Sequence, residues 1–292
     1  MPPWILDSTA KYHQFLKYAC GVYELPHRLR RLTDGRCDPK IVTLDVVNSL
    51  FHAALFRLPS INALEGDLKE SDFQKIIGRK PTPGLKAFSA EVIDNVLDKM
   101  HLDRMRDGIE EIIWKAERNK AFREGSYGTL RGVAIDGWEP FASFDRHCDH
   151  CLERKVKVKN PATGEVEERL QYYHRYAVAM LIGPVVDVVL DLEPVRNGEA
   201  RRADGEDVHH EGELTAALRL IDKLHVRYGT FIDSFVLDAL YANGPVMAKL
   251  DDYGYGGFVV LKKDDNEPLK EALALWDRQA PCEVYRDAEA KV

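Results

Sequence analysis

The sequence has few cysteines and lacks any long apolar run. Its five cysteines are an odd number without the regular spacing of a disulfide framework, which indicates a reducing compartment. No run approaches the ~20 apolar residues that a membrane helix needs, and the first residues lack a signal-peptide pattern. We therefore expect a cytoplasmic protein without a membrane-spanning segment.

The sequence also lacks a positive net charge. Its 48 acidic residues outnumber 41 basic ones and give a formal charge of −7, whereas a general nucleic-acid-binding protein is usually basic. Basic residues are nevertheless concentrated near the N-terminus, where Arg28, Arg30 and Arg31 lie close together. Because salt screens charges beyond about 8–10 Å, such a patch can bind DNA phosphates even on an acidic protein. A solvated loop explains the same residues equally well.

The chain has enough apolar material for two domains. At 292 residues and 45% hydrophobic content it is typical of a globular protein. Up to residue 126, apolar residues recur at helical spacing, for example Val92, Val96 and Met100 behind a potential helix cap at Ser89. This pattern predicts an all-helical N-terminal domain over residues 1–126, which is a candidate for DNA binding.

From Tyr127 onwards the pattern changes to strands. Alternating residues at 155–159, a turn at 160–164 and apolar runs on either side of Gly183 predict antiparallel strands. Helices then alternate with two further strands. This order predicts an α+β or α/β domain over residues 127–292, with a ribonuclease-H-like mixed sheet in which the first and fourth strands are neighbours.

Two of these apolar strands end on an aspartate. Asp136 follows Val133–Ile135, and Asp238 follows Phe235–Leu237. An isolated aspartate at such a position is usually a turn former or a helix cap. Two aspartates at the ends of neighbouring strands would instead be close together, and like charges that close require a cation. The pattern therefore predicts a divalent-metal site of the kind that catalyses phosphoryl transfer.

Four segments resemble the DDE transposases of bacterial insertion sequences. They are Val133–Gly137, His147–Leu152, Tyr172–His174 and Leu237–Pro245. The resemblance covers roughly residues 130–265 and implies that Asp136 and Asp238 are the first two members of a catalytic carboxylate triad. It further implies two bound Mg²⁺ ions (or Mn²⁺ in vitro), cleavage and transfer of DNA strands by attack on phosphodiesters, and a homo-oligomer that binds transposon ends.

The third member of the triad is not found in the family's arrangement. The family has a glutamate in the pattern Tyr-x-x-Arg-x-x-x-Glu on a late helix, and none of the 54 residues after Asp238 shows this pattern. The sequence is therefore expected to be a truncated transposase or one part of a split one. Glu211 and Glu213 are alternative third carboxylates, although support of a helix N-terminus is the more common role of such residues.

The pair Cys148 and Cys151 is half of a zinc site. His147, His150 and His174 are candidates to complete it, and the ion would be structural. Two free buried thiols are an equally good interpretation of the pair. The zinc would stiffen the adjacent hairpin, in which alternation places three basic residues on one face as candidate contacts to DNA phosphates. These residues are Lys155, Lys157 and Lys159.

Three hypotheses of function follow. The first is a DDE-type transposase chain that cleaves and transfers DNA strands with a divalent metal. The second is a truncated, catalytically inactive derivative that binds DNA or oligomerises and so regulates transposition. The third is a protein that shares only the fold and a zinc-stiffened hairpin. Binding that weakens steeply with salt separates the first two from the third, and metal-dependent cleavage separates the first from the second.

Overall fold

The computed structural model describes residues 3–79, 87–159, 164–183, 187–197, 210–261, 267–276 and 278. The turn expected at 160–164 lies largely outside these residues. The chain divides into two compact units, Met1–Ala121 and Phe122–Val292, five residues before the predicted domain boundary. Within the described residues, no helix has the length and apolar character needed to cross a membrane.

Helices make up nearly all the regular structure in the described part of the first unit. They are α1 (Pro3–Val22), α2 (Leu25–Arg31), α3 (Thr43–Leu55), α4 (Ile61–Asp67), α5 (Ser71–Ile76), α6 (Ala90–Asp98) and α7 (Leu102–Arg118). Apolar residues of α3 to α6 form the core, and the most deeply buried are Val46, Leu64, Leu68, Ile93 and Val96. The helical spacing of these residues accounts for one buried face per helix.

At the start of α6, a side chain from another helix accepts the hydrogen bond of a free backbone N–H. Ser89 occupies the predicted cap position, but its side chain makes no capping hydrogen bond. The free N–H of Ala90 instead donates to a carboxylate oxygen of Glu65 in α4, at 2.9 Å. This contact joins α4 to α6 and supplies a partner that a helix N-terminus needs.

The second unit contains a six-stranded mixed sheet among its described residues. The strands are β1 (Gly132–Ser143), β2 (Leu152–Lys159), β3 (Val166–Ile182), β4 (Val188–Pro194), β5 (Ser234–Leu237) and β6 (Gly256–Val259). Their order is β2-β3-β1-β5-β6, and β4 also pairs with β3. The strands β1, β2 and β4 run antiparallel to β3, whereas β5 runs parallel to both β1 and β6.

Strand β3 is longer than the sequence pattern predicts. From the sequence, a strand that ends at Tyr172–His174 and a second strand at 176–182 are expected, but β3 continues through both for 17 residues. The first part of β3 pairs with β2, and the second part pairs with β1 and β4. No glycine or proline interrupts β3, so nothing in its sequence ends the strand.

Helix α8 (Glu213–Tyr228) covers one face of this sheet and packs on β3 and β4. Its buried face consists of apolar residues at helical spacing, including Ala217, Leu220, Ile221 and Leu224, all fully buried. Helices α9 (Gly244–Asp252) and α10 (Glu267–Trp276) follow β5 and β6, and a single 3₁₀ turn (Ala239–Tyr241) follows Asp238. The described unit is therefore an α+β fold with a mixed open sheet.

Candidate functional site

The two predicted aspartates lie at the same level on neighbouring strands. In the parallel β1–β5 pair, Ile135 is the register partner of Leu237, so Asp136 and Asp238 occupy the next position on each strand. Neighbouring strands lie about 4.8 Å apart. Asp136 is exposed and Asp238 is half-buried. The sheet thus brings the two carboxylates side by side at a solvent-accessible position.

Each aspartate is held by a hydrogen bond from the backbone. One Asp136 carboxylate oxygen accepts the N–H of Gly137 at 2.8 Å. One Asp238 oxygen accepts the N–H of Leu240 at 2.8 Å and so caps the 3₁₀ turn. Asp238 therefore has the capping role that is common for an aspartate after a strand. This role fixes its orientation beside Asp136.

Glu213, the first residue of α8, connects the segments around both aspartates. Its Oε1 accepts the hydroxyl of Tyr241 at 2.7 Å, and its Oε2 lies 2.7 Å from the Arg175 guanidinium of β3. The Glu213 side chain is only 7% exposed. Gly137 leaves the space for this carboxylate, because a Cβ there would lie 2.2 Å from Oε2. Only glycine permits this close approach.

Glu213 does not share a face of β1 with Asp136. Successive strand residues point to opposite faces, so Gly137 and the buried Ile135 face the Glu213 side while Asp136 faces the other. Among the described residues, one group of three potential metal ligands has its ligand atoms within 4.8 Å of one another, and this group does not contain Asp136, Asp238 or Glu213. Glu213 is therefore placed to position the strand ends rather than to join the aspartate pair as a third ligand.

Tyr241 lies in the combined field of the three carboxylates. Burial raises the pKa of its hydroxyl far above the ordinary value, and the neighbouring Glu213, Asp136 and Asp238 raise it further. The hydroxyl therefore keeps its proton and acts as a donor to Glu213. The same three carboxylates give the exposed side of the pair a negative potential.

An open, mostly apolar depression of about 540 Å³ lies next to Asp136. It is lined by Ala134, Asp136, Gly137, Trp138, Val178, Met180, Val189 and Leu192. Trp138 is 52% exposed and contacts Tyr176 at 6.1 Å between ring centroids. Trp138 is therefore a surface residue beside Asp136 rather than a core residue.

Comparison with protein-family models, curated proteins and solved structures finds no match. The resemblance to DDE transposases therefore rests on the motif residues themselves. What the structure adds is the placement of those residues relative to one another.

A second group of functional side chains lies in the connection between β1 and β2. The sulfur atoms of Cys148 and Cys151 lie 3.7 Å apart, and each lies 3.4 Å from Nε2 of His174 in β3. The four cysteines in the described residues are free, so this pair is not a disulfide. His147 lies elsewhere, since its ring stacks on Tyr172 at 4.6 Å between centroids. The structure thus joins three of the five candidate zinc ligands, Cys148, Cys151 and His174.

Burial shifts the pKa values of two members of this cluster, Cys151 and His174. Burial raises the pKa of the Cys151 thiol above its ordinary value. Burial also lowers the pKa of His174, and the nearby His150 lowers it further. Without a cation, Cys151 therefore remains a thiol at neutral pH and is a poor nucleophile.

The three lysines predicted to contact DNA lie on one face of β2, and one of them has an acidic neighbour on β3. Lys155, Lys157 and Lys159 are exposed at alternate positions of β2. Lys157, however, lies directly opposite Glu168 of β3, and residues directly opposite in a sheet share a face. The acidic strand therefore offsets part of the positive potential that the hairpin would offer to DNA.

The arginine patch of the first unit is largely occupied by internal contacts. Arg28 and Arg31 both form ion pairs with Glu111 of α7, and the Arg31 pair measures 2.6 Å. The Arg28 side chain is only 10% exposed, and its Nε donates to the carbonyl of Tyr23 at 2.7 Å. Arg30 is exposed and remains a candidate for phosphate contact. The sequence cannot show this pairing because Glu111 lies 80 residues away.

Sequence reasoning missed the two partners of Glu213. Arg175 follows the Tyr172–His174 motif directly, and Tyr241 lies within the Leu237–Pro245 motif. Their positions, one directly after a motif and one inside a motif, were the only indication in the sequence that these two residues matter. Their meeting at Glu213 depends on the pairing of β3 with β1 and on the position of α8, which local patterns do not specify.

Proposed function

We propose that the protein is a DDE-type transposase chain whose second unit cleaves and transfers DNA strands with a divalent metal. The observation that carries this proposal is the β1–β5 register, which sets Asp136 beside Asp238 at adjacent strand ends. A pair of carboxylates at this position supplies two of the oxygen ligands that a metal ion in phosphoryl transfer needs.

The strand order supports the ribonuclease-H-like form of this fold. Strand β1 lies between antiparallel β3 and parallel β5, and α8 precedes β5. The strands that precede Asp136 and Asp238 are thus neighbours, as the ribonuclease-H-like interpretation expects, although they are the first and fifth described strands rather than the first and fourth. The hairpin of β2 with the first part of β3 is then an extension of the shared core.

The donor set fits Mg²⁺ or Mn²⁺. Asp136 and Asp238 would hold the metal, since hard divalent cations prefer carboxylate oxygens. When bound, such ions activate the attacking hydroxyl or water and stabilise the leaving oxygen. Gly137 and Leu240 orient the two carboxylates through their backbone N–H groups. Glu213, held by Tyr241 and Arg175, keeps the strand ends in place from the opposite face.

A DNA nicking assay with Mg²⁺ or Mn²⁺ tests the proposal. We expect the wild-type chain to nick DNA, and Asp136→Asn and Asp238→Asn each to lose at least about 10²-fold in rate because each removes a metal-binding charge. Asp252→Asn is the matched control, because Asp252 is an exposed aspartate of the same unit at the end of α9. Circular dichroism would show that the variants remain folded.

The alternative, an inactive DNA-binding regulator of transposition, is favoured by one observation. The described residues place no third carboxylate with Asp136 and Asp238 in a compact ligand group. Salt-dependent DNA binding without nicking by the wild-type chain would support this alternative and contradict the enzymatic proposal. Nicking that survives both aspartate substitutions would contradict the assigned site.

A further inference from the structure

We propose that Cys148, Cys151 and His174 bind a single Zn²⁺ ion that fixes the β1–β2 connection onto strand β3. This site is separate from the proposed Asp136–Asp238 site, and its chemistry is different. Thiolate and imidazole ligands select zinc, whereas magnesium prefers oxygen.

The distances between the ligand atoms match a zinc tetrahedron. Zinc lies about 2.3 Å from sulfur and about 2.05 Å from nitrogen, so tetrahedral angles separate two sulfurs by about 3.8 Å and sulfur from nitrogen by about 3.6 Å. The observed separations are 3.7 Å between the sulfurs and 3.4 Å from each sulfur to His174 Nε2. A disulfide would instead require about 2.05 Å between the sulfurs.

The surrounding backbone already holds the ligands in place. The N–H of Cys148 donates to the sulfur of Cys151 at 3.2 Å, which favours a negatively charged sulfur. The N–H of Cys151 donates to the carbonyl of Cys148 at 3.1 Å and closes the turn. His174 is carried by β3, where it is the register partner of Phe141 in β1. The ligands therefore come from a closed turn and a paired strand, both rigid elements.

The fourth corner of the tetrahedron is available to a water molecule. Cys148 is exposed, so the cluster is open to solvent on one side, while Cys151 is buried. His147 is not needed, because its ring is engaged with Tyr172. The site is thus expected to have three protein ligands and one solvent ligand.

The bound zinc would cross-link the start of β2 to β3, at the open end of the β2–β3 hairpin. Leu152, which begins β2, pairs with Tyr173, the residue before His174. A zinc bound to Cys151 and His174 would therefore fix the register of β2 against β3 from its first residue. The lysines of β2 would then keep a defined position.

The test is the zinc content of the full-length protein purified from zinc-supplemented cells. We expect about one zinc per chain in wild type and a loss to background in Cys148→Ser, Cys151→Ser and His174→Ala. Cys37→Ser, His147→Ala and Asp136→Asn are the controls and should each retain about one zinc. Loss in Asp136→Asn would contradict a site separate from the proposed catalytic pair.

Removal of the metal provides a measurement that does not depend on the folding of variants. Treatment of wild type with a strong chelator should release zinc, lower the melting temperature and expose Cys148 and Cys151 to a thiol reagent, and added zinc should reverse all three changes. Cobalt should give a thiolate-to-metal absorption band in wild type. Background zinc in wild type together with no cobalt band, or zinc that survives substitution of all three ligands, would overturn the proposal.

Discussion

Gly137 shows how one residue controls the position of two carboxylates. Its missing side chain admits the Glu213 carboxylate, while its N–H orients the carboxylate of Asp136. Glu213 in turn binds Tyr241, three residues after Asp238. A chain of direct contacts therefore links Asp136 to the segment of Asp238 through the α8 side of the sheet. Such outer contacts commonly determine how well a metal site is formed.

We predict that Glu213→Gln and Tyr241→Phe raise the Mn²⁺ concentration that DNA nicking requires, without unfolding the protein. Loss of an outer contact typically costs about 10–100-fold in metal affinity or activity. The measurement is the Mn²⁺ concentration that gives half-maximal nicking, which should rise in both variants, while circular dichroism stays unchanged. Tyr253→Phe is the control, because the Tyr253 hydroxyl bonds Asp222 and not Glu213. An unchanged Mn²⁺ requirement in both variants would contradict the positioning role.

At the scale of the element, a buried ion-pair network fastens α8 to β4. The Glu193 side chain of β4 is 1% exposed and bonds Arg219 at 2.8 Å and Lys223, both of α8. Burial alone would raise the pKa of Glu193, but the hydrogen bonds from Lys223 and Arg219 outweigh it and hold the pKa below the ordinary value. The charged form of Glu193 therefore stabilises the fold.

We predict that Glu193→Gln lowers the free energy of unfolding at pH 7 by roughly 1.5–3 kcal/mol, because a neutral amide replaces the buried charged acceptor of the Arg219 and Lys223 hydrogen bonds. Because the folded pKa lies below 4.5, this stabilisation is complete above that pH and is lost as the pH falls through the folded pKa. Urea denaturation of wild type and variant should show a large difference at pH 7 that shrinks below about pH 4.

The control for this prediction is Glu267→Gln. Glu267 of α10 pairs with Lys270 at 2.7 Å, but its side chain is 75% exposed. Exposed pairs contribute about 0–1 kcal/mol, so this variant should unfold almost like wild type. Equal stabilities of Glu193→Gln and wild type at pH 7 would show that the buried network does not fasten α8.

The elements of the second unit were predictable to the extent that local patterns specify them. The apolar runs before Asp136 and Asp238 predict β1 and β5, and their order along the chain predicts that they are neighbours. The continuous β3 was not predictable, because the same apolar run is compatible with one strand or two. The site follows the same rule: strand-end aspartates are visible in the sequence, whereas the Glu213–Tyr241 contact requires the tertiary fold.

For the molecule as a whole, long-range pairing decides which charges remain available. The arginines of α2 form a conspicuous basic group in the sequence, yet Glu111 neutralises two of them. The lysines of β2 remain exposed, but Lys157 lies opposite Glu168 of β3. Clusters of one charge in a sequence therefore overestimate the phosphate-binding surface when their partners lie far along the chain.

Counting bound Mn²⁺ by electron paramagnetic resonance shows whether Asp136 and Asp238 together hold a divalent metal. We expect wild type to bind Mn²⁺ and Asp136→Asn, Asp238→Asn and the double variant each to lose this binding equally, because the pair acts as one site. The Asp252→Asn control should bind like wild type. Unchanged Mn²⁺ binding in the double variant would mean that the two aspartates do not hold the metal.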